Sequence, residues 1–180
     1  MSTQASTKWA IDAAHSEIGF KAKHLMISTV KGKFDKFEGQ VETNGDDFTT
    51  ANISFTADVA SINTGNADRD GHLKSADFFN AEKFPQLKFT DGKLTLKSGS
   101  EYTLTGNLTV RDVTKPVTLD VEYAGTAKDP WGNTKAGFTI NGKINRTEFG
   151  LNWNVALETG GWLVSEEIKI IIDAQLLKQA

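Results

Sequence analysis

Apolar and polar residues alternate along most of this chain, and strict period two is a pattern that only extended strands can use. Ile18, Phe20, Ala22, His24 and Met26 fall on one side of an extended segment, with Glu17, Lys21 and Lys23 on the other. Ile53, Phe55, Ala57 and Val59 repeat the pattern, as do Tyr102, Leu104, Leu108 and Val110. Val117, Leu119, Val121 and Tyr123 form a further row, and Ile168, Ile170, Ile172, Ala174 and Leu176 another. Each strand then has one dry and one wet face, the mark of antiparallel sheet.

Turn residues punctuate the rows. Asp91-Gly92 and Asn141-Gly142 read as two-residue hairpins, because glycine accepts positive φ and Asn or Asp tolerates it. Asn44-Gly45, Ser98-Gly99 and Asp129-Pro130-Trp131-Gly132 mark further breaks. Roughly eight to ten strands follow, joined mostly by short turns. Their dry faces can meet across a sandwich or inside a closed sheet. Short turns favour a meander, so the expected fold is all-β. It is an antiparallel up-and-down barrel of about eight strands, whose interior is either filled by side chains or holds one small ligand.

The segment 61–85 breaks the alternation. It gathers Asp68, Arg69, Asp70, His72 and Lys74, then Phe78, Phe79 and Phe84. Asn66 can cap a helix over Ala67–Leu73, Ser75 can start a short turn, and Phe84 before Pro85 is extended. Asp70 and Lys74 can pair at four-residue spacing. A short helical lid on the barrel is the reading. One domain over residues 1–180 is expected, with residues 1–8 as a flexible tail.

Composition removes several functions. A net charge of −3, with acids and bases interspersed, offers no basic stripe for nucleic acid and no Lys/Arg cluster for anionic lipid. Without cysteine there are no disulfides, iron–sulfur clusters or thiolate metal sites. The three histidines lack metal-helix spacing, and no phosphate loop or nucleophile elbow occurs, so no enzyme is expected. No apolar run approaches the ~20 residues that span a bilayer, which argues against an integral membrane protein. The polar start suggests the cytoplasm, or the periplasm if a signal has been removed.

An ordered set of short motifs resembles the YceI-like family of polyisoprenoid-binding proteins. It begins with Trp9-x-x-Asp12-x-x-His15-Ser16-x-Ile18-x-Phe20-x-x-x-His24 and Val30-x-Gly32-x-Phe34-x-x-Phe37-x-Gly39. Ser61-Ile62-x-Thr64-Gly65, Arg69-Asp70-x-His72-Leu73-x-Ser75-x-Asp77-Phe78-Phe79 and Phe84-Pro85 follow. Gly106-x-Leu108-Thr109, Thr114-Lys115-Pro116-Val117-Thr118-Leu119 and Ile144-x-Arg146-x-x-Phe149-Gly150 complete it. The resemblance covers about Trp9 to Ala174. One departure is Asp112, where the family often has glycine; Asp tolerates a left-handed turn.

The resemblance implies an elongated, lipocalin-like barrel with an apolar tunnel. The tunnel holds a long isoprenoid, such as a polyprenyl pyrophosphate or a prenylated quinone, as a small-molecule lipid ligand and not as a cofactor of catalysis. Candidate tail contacts are Phe20, His24, Met26, Phe34, Phe37 and Phe55 from the first strands, and Phe78, Phe79 and Phe84 from the lid. Leu104, Leu108, Phe138, Ile140, Phe149 and Trp153 complete them from the later strands. Arg69, His72 and Lys74 are head-group candidates, while Arg69, Asp70 and Arg146 are also readable as anchors between lid and barrel. His24 is readable either as a core histidine on a backbone carbonyl or as a polar handle in the cavity, and His15 as structural. A homodimer is a possible assembly. About 40 tail carbons at ~0.3 kcal/mol per atom give on the order of −12 kcal/mol. The alternatives are a stress-related interaction module with a filled core, and an isomerase or hydrolase using His24.

Overall fold

The computed structural model describes residues 6–25, 27–154 and 164–179. Eleven strand segments make one sheet: β1 (Ser6–Ile11), β2 (Glu17–His24), β3 (Ser28–Phe34), β4 (Phe37–Asn44), β5 (Asp47–Asp58), β6 (Ile62–Asn63), β7 (Gln86–Ser98), β8 (Glu101–Val110), β9 (Val113–Lys128), β10 (Thr134–Asn145) and β11 (Glu167–Lys178). The hydrogen-bonded order β1-β4-β5-β7-β8-β9-β10-β11 closes on itself through β1 and β11. This ring is an eight-stranded antiparallel barrel, as the turns predict.

The remaining segments are extensions of ring strands. β2 prolongs β1 beyond a 3₁₀ turn at Ala13–His15, and β11 pairs with both, through Ile11↔Leu176 and Ile18↔Ile172. β3 likewise runs into β4, and β5 into β6 through Val59–Ser61. Three strands are therefore long and bent, which lengthens the barrel towards one end. That end carries α1 (Ala67–Lys74), which begins as expected with Asn66 Oδ1 accepting from the Arg69 amide at 3.0 Å.

Four expectations need correction. The flexible tail is too long: Ser6, Thr7 and Lys8 pair with Asn44, Thr43 and Glu42 of β4, whereas residues 1–5 lie outside the described range. Asp91-Gly92 is not a hairpin but an irregularity inside β7, with Asp91 at φ 55° and the register on β8 shifting between Thr90 and Lys93. Asn141-Gly142 is not a hairpin either, since β10 runs through it in unbroken register with β11. Gly142 is needed there for a close approach: a Cβ would stand 2.1 Å from Leu119 Cδ2. In the β8–β9 turn the left-handed residue is Arg111 at φ 58°, not Asp112.

The break between β1 and β2 is pinned by Asp12. Its carboxylate caps the 3₁₀ turn by accepting from the Ala14 amide at 3.1 Å. The other oxygen lies 2.8 Å from His15 Nδ1 and accepts from Lys135 Nζ of β10 at 3.1 Å. Partial burial pushes the Asp12 carboxyl up, but the bonds from His15 and Lys135 outweigh it and hold it below the ordinary 3.8. The linked stability is full above the ordinary carboxylate range and fades as pH falls through the depressed value. Asp12→Asn should therefore cost about 1 kcal/mol at neutral pH and nothing in strong acid, where both proteins are uncharged at this site. Urea unfolding at the two pH values checks this.

Candidate functional site

One end of the barrel is solid. Trp9, only 1 % exposed, donates its indole N–H to Thr43 Oγ1 at 3.2 Å, and its ring lies 5.2 Å from Phe48. Phe48 also meets Phe138 at 5.0 Å and Tyr123 at 5.6 Å, so aromatic rings fill the barrel floor.

Above that floor the side chains do not meet across the axis. A cavity of about 590 Å³ runs from Phe48 and Phe138 up to the helical end. Its wall is made by the inward rows: Ile18, Phe20 and Ala22 on β2, Leu104, Leu108 and Val110 on β8, and Ile168 to Leu176 on β11. Glycines keep it hollow by letting large side chains lie against the wall. A Cβ on Gly32 would stand 2.3 Å from Phe20 Cζ, and one on Gly106 would stand 2.4 Å from Phe89 Cζ. Both rings thus occupy space that any other residue would fill, and so stay out of the lumen. Water gains little from a space walled by such side chains, because it finds few hydrogen-bond partners there.

Polar groups collect at the helical end, where Thr64, Asp68, Arg69 and His72 border the cavity together with His24 and Arg146. Thr64 fastens α1 to the end of β6. It accepts from Arg69 Nε at 2.8 Å on its hydroxyl and from Arg69 Nη2 at 2.8 Å on its carbonyl. Asp70 Oδ1 accepts from the Thr64 amide at 2.8 Å and hydroxyl at 2.5 Å. Arg69 and Asp70 are the lid anchors foreseen, and Asp70 bonds Thr64 where a Lys74 partner was expected. The His72 ring packs edge-on against Trp153 at 4.5 Å and Phe78 at 5.2 Å, with Nε2 2.9 Å from Asp77 Oδ2.

Arg146 holds the opposite rim. It is 3 % exposed, and every acceptor it finds is a backbone carbonyl. Nε donates to Ser165 at 2.8 Å, Nη1 to Leu151 at 2.6 Å and Trp153 at 3.0 Å, and Nη2 to Val164 at 3.3 Å. Among the described residues it anchors the connection between β10 and β11 and meets the lid at the Phe78 ring, 5.8 Å away. Burial pushes the guanidinium below its ordinary value, with Glu166 opposing this.

Most expected lining residues border the cavity: Phe20, His24, Phe34, Phe55, Phe78 and Phe79, then Leu104, Leu108, Phe138, Ile140, Phe149 and Trp153, with Arg69 and His72 among the head-group candidates. Three do not. Phe37 packs on Phe55 at 6.1 Å behind the wall. Phe84 lies under the Arg111 guanidinium at 5.8 Å, outside the lumen. Lys74, at the end of α1, points elsewhere than the cavity. Met26 lies outside the described residues. The His24 ring takes no part in the hydrogen bonds among the described residues, so the backbone-bonded reading of it is not what the geometry gives. Parity could have found Ile18, Ile170 and Ile172 as wall residues, since they share faces with Phe20 and Ile168.

A closed meander with a solid floor, an apolar-walled lumen and a lidded end defines a hollow, lipocalin-like β-barrel. Within that class, the chain belongs to the YceI-like domain family, whose model matches residues 9–176. A UPF0312 protein of Staphylococcus aureus (strain USA300) is 42% identical over 170 residues, covering 94% of this chain and 96% of the relative. The solved Campylobacter jejuni YCEI protein is 36% identical with a TM-score of 0.76, covering 94% of this chain and 96% of that one. A polyisoprenoid binding domain from Saccharophagus degradans shares the fold at 14% identity, with a TM-score of 0.67 and coverage of 95% and 98%.

Proposed function

We propose that this protein binds and carries an amphiphilic isoprenoid lipid, with the tail in the barrel and the head group at the lid. The observation that carries this is a 590 Å³ apolar cavity whose charged and histidine lining residues lie towards the lidded end. The YceI-like family and the polyisoprenoid binding domain from Saccharophagus degradans agree with it. Sequestration of a hydrocarbon needs only shape and dryness, so no catalytic group is invoked. The filled-core alternative does not fit the cavity, and no carboxylate bonds His24 among the described residues to support an isomerase or hydrolase.

Affinity depends on how much tail the lumen seats. Roughly twenty seated groups at ~0.3 kcal/mol each give about −6 kcal/mol, or tens of micromolar. Affinity should rise with tail length from geraniol to geranylgeraniol. Titration by intrinsic tryptophan fluorescence reads this, and affinity independent of tail length would refute the reading.

A further inference from the structure

The outer face of the sheet carries a feature that the inward rows do not explain. Lys143 of β10 is the cross-strand partner of Lys169 of β11, Lys169 of Lys21 of β2, and Lys21 of Lys31 of β3. Four lysines therefore stand side by side across four adjacent strands, with Lys23 and Lys33 on the same face. Lys143 has Glu167 at 3.5 Å and Lys33 has Asp35 at 3.7 Å. Lys21, Lys31 and Lys169 form no ion pair among the described residues. Like charges directly opposite one another destabilise a sheet. The chain as a whole is acidic, with net charge −3, and the same face carries Glu17, Glu167 and Asp173, so the lysine row is a basic band running between these carboxylates. The expectation of no basic cluster follows from sequence order, in which Lys143 and Lys169 are distant from Lys21 and Lys31; only strand register sets the four in one row.

The β2–β3 turn that tops this face is apolar. Ile27 is 82% exposed and Leu25 is 40% exposed, with Leu25 held at φ 55°, a conformation unfavourable for a branched aliphatic residue. The turn follows His24 directly, and His24 borders the cavity and bridges to Val164. The tip therefore sits at the lidded, open end.

We infer that this face is a docking surface for an anionic lipid bilayer. The lysine row meets the phosphate headgroups while Leu25 and Ile27 enter the headgroup boundary. Anionic leaflets attract basic surfaces, and exposed aliphatic residues add affinity by leaving water. Nucleic acid also suits a lysine row, but it has no use for an exposed isoleucine tip, and the face presents no aromatic residue for base stacking. Docking so oriented brings the cavity mouth to the bilayer. The inference rests on the outer face alone, so it stands or falls separately from the cavity's ligand.

Sedimentation with vesicles tests it. The protein should co-sediment with phosphatidylglycerol–phosphatidylcholine vesicles, be released by salt, and ignore pure phosphatidylcholine. Lys21→Gln/Lys31→Gln/Lys169→Gln should lose on the order of 100-fold in partitioning, from about fivefold per lysine near the surface. Its thermal midpoint should be equal or higher, because like-charge repulsion is removed. Ile27→Ser should weaken binding at unchanged salt dependence. Tail uptake from solution should be unchanged in both variants. Equal binding to neutral vesicles, wild-type binding by the lysine variant, or retention on an oligonucleotide without vesicle binding would each overturn the inference.

Discussion

Arg146→Met lowers the thermal midpoint by about 10 °C, the largest stability loss expected of any single change outside the aromatic floor. The substitution roughly keeps the side chain's length but removes every donor. The carbonyls of Leu151, Trp153 and Ser165 then lose this donor, while that of Val164 keeps the Asn154 side-chain amide at 2.7 Å. Leaving buried acceptors unmade costs ~1–3 kcal/mol each before relaxation, and breaking a buried charged cluster typically costs 3–5 kcal/mol in all. At ~2–4 °C per kcal/mol for a chain of this size, a loss near 3 kcal/mol gives the stated shift. Arg146→Lys should rescue little, because one ammonium cannot reproduce a planar fork that meets two flanks of a loop. Differential scanning calorimetry of both variants checks this. A midpoint within a few degrees of wild type for Arg146→Met would mean the connection between β10 and β11 does not depend on this guanidinium.

Ala22→Trp abolishes most tail binding while leaving the barrel folded. Ala22 lies on the inward row of β2 between Phe20 and His24 and borders the cavity near its open end. An indole there has empty space in front of it, so it enters the lumen instead of displacing packed neighbours. If it excludes half of the roughly twenty groups, binding weakens by about 3 kcal/mol, or on the order of 100-fold. The unfolding midpoint should move little, since filling a void adds contacts. Fluorescence titration with geranylgeraniol, beside a thermal scan, separates the two effects. Unaltered affinity in a folded Ala22→Trp protein would place the tail elsewhere.

The inward rows were legible because parity survives from sequence to structure wherever a strand is regular. Phe20, Leu104 and Leu108 are found in this way. The two misread hairpins show what a dipeptide signal leaves out. Phe138, Ile140 and Ile144 keep one parity across Asn141-Gly142, which a single uninterrupted strand explains. Phe89 and Leu94, both buried, change parity across Asp91-Gly92, which a bulge explains. Alternation on both sides of a possible turn was the stronger evidence in each case.

Other features depend on packing between distant segments. Phe37 has the inward parity of Gly39 and Val41 and packs on Phe55, yet only Phe55 borders the lumen, so a dry residue need not border a void. That a void exists follows from pairs such as Phe20 with Gly32 and Phe89 with Gly106, whose members meet only across strands. The lid anchors at Arg69 and Asp70 were readable because their partner Thr64 is local. The lysine row was hidden for the opposite reason.

If the barrel is hollow and takes hydrocarbon, native mass spectrometry of the protein purified without detergent should show a bound species. That species should be released on activation and identified after organic extraction as an isoprenoid with an apolar tail. A single mass equal to the polypeptide alone, joined to no uptake when prenyl lipid is added back, would contradict it.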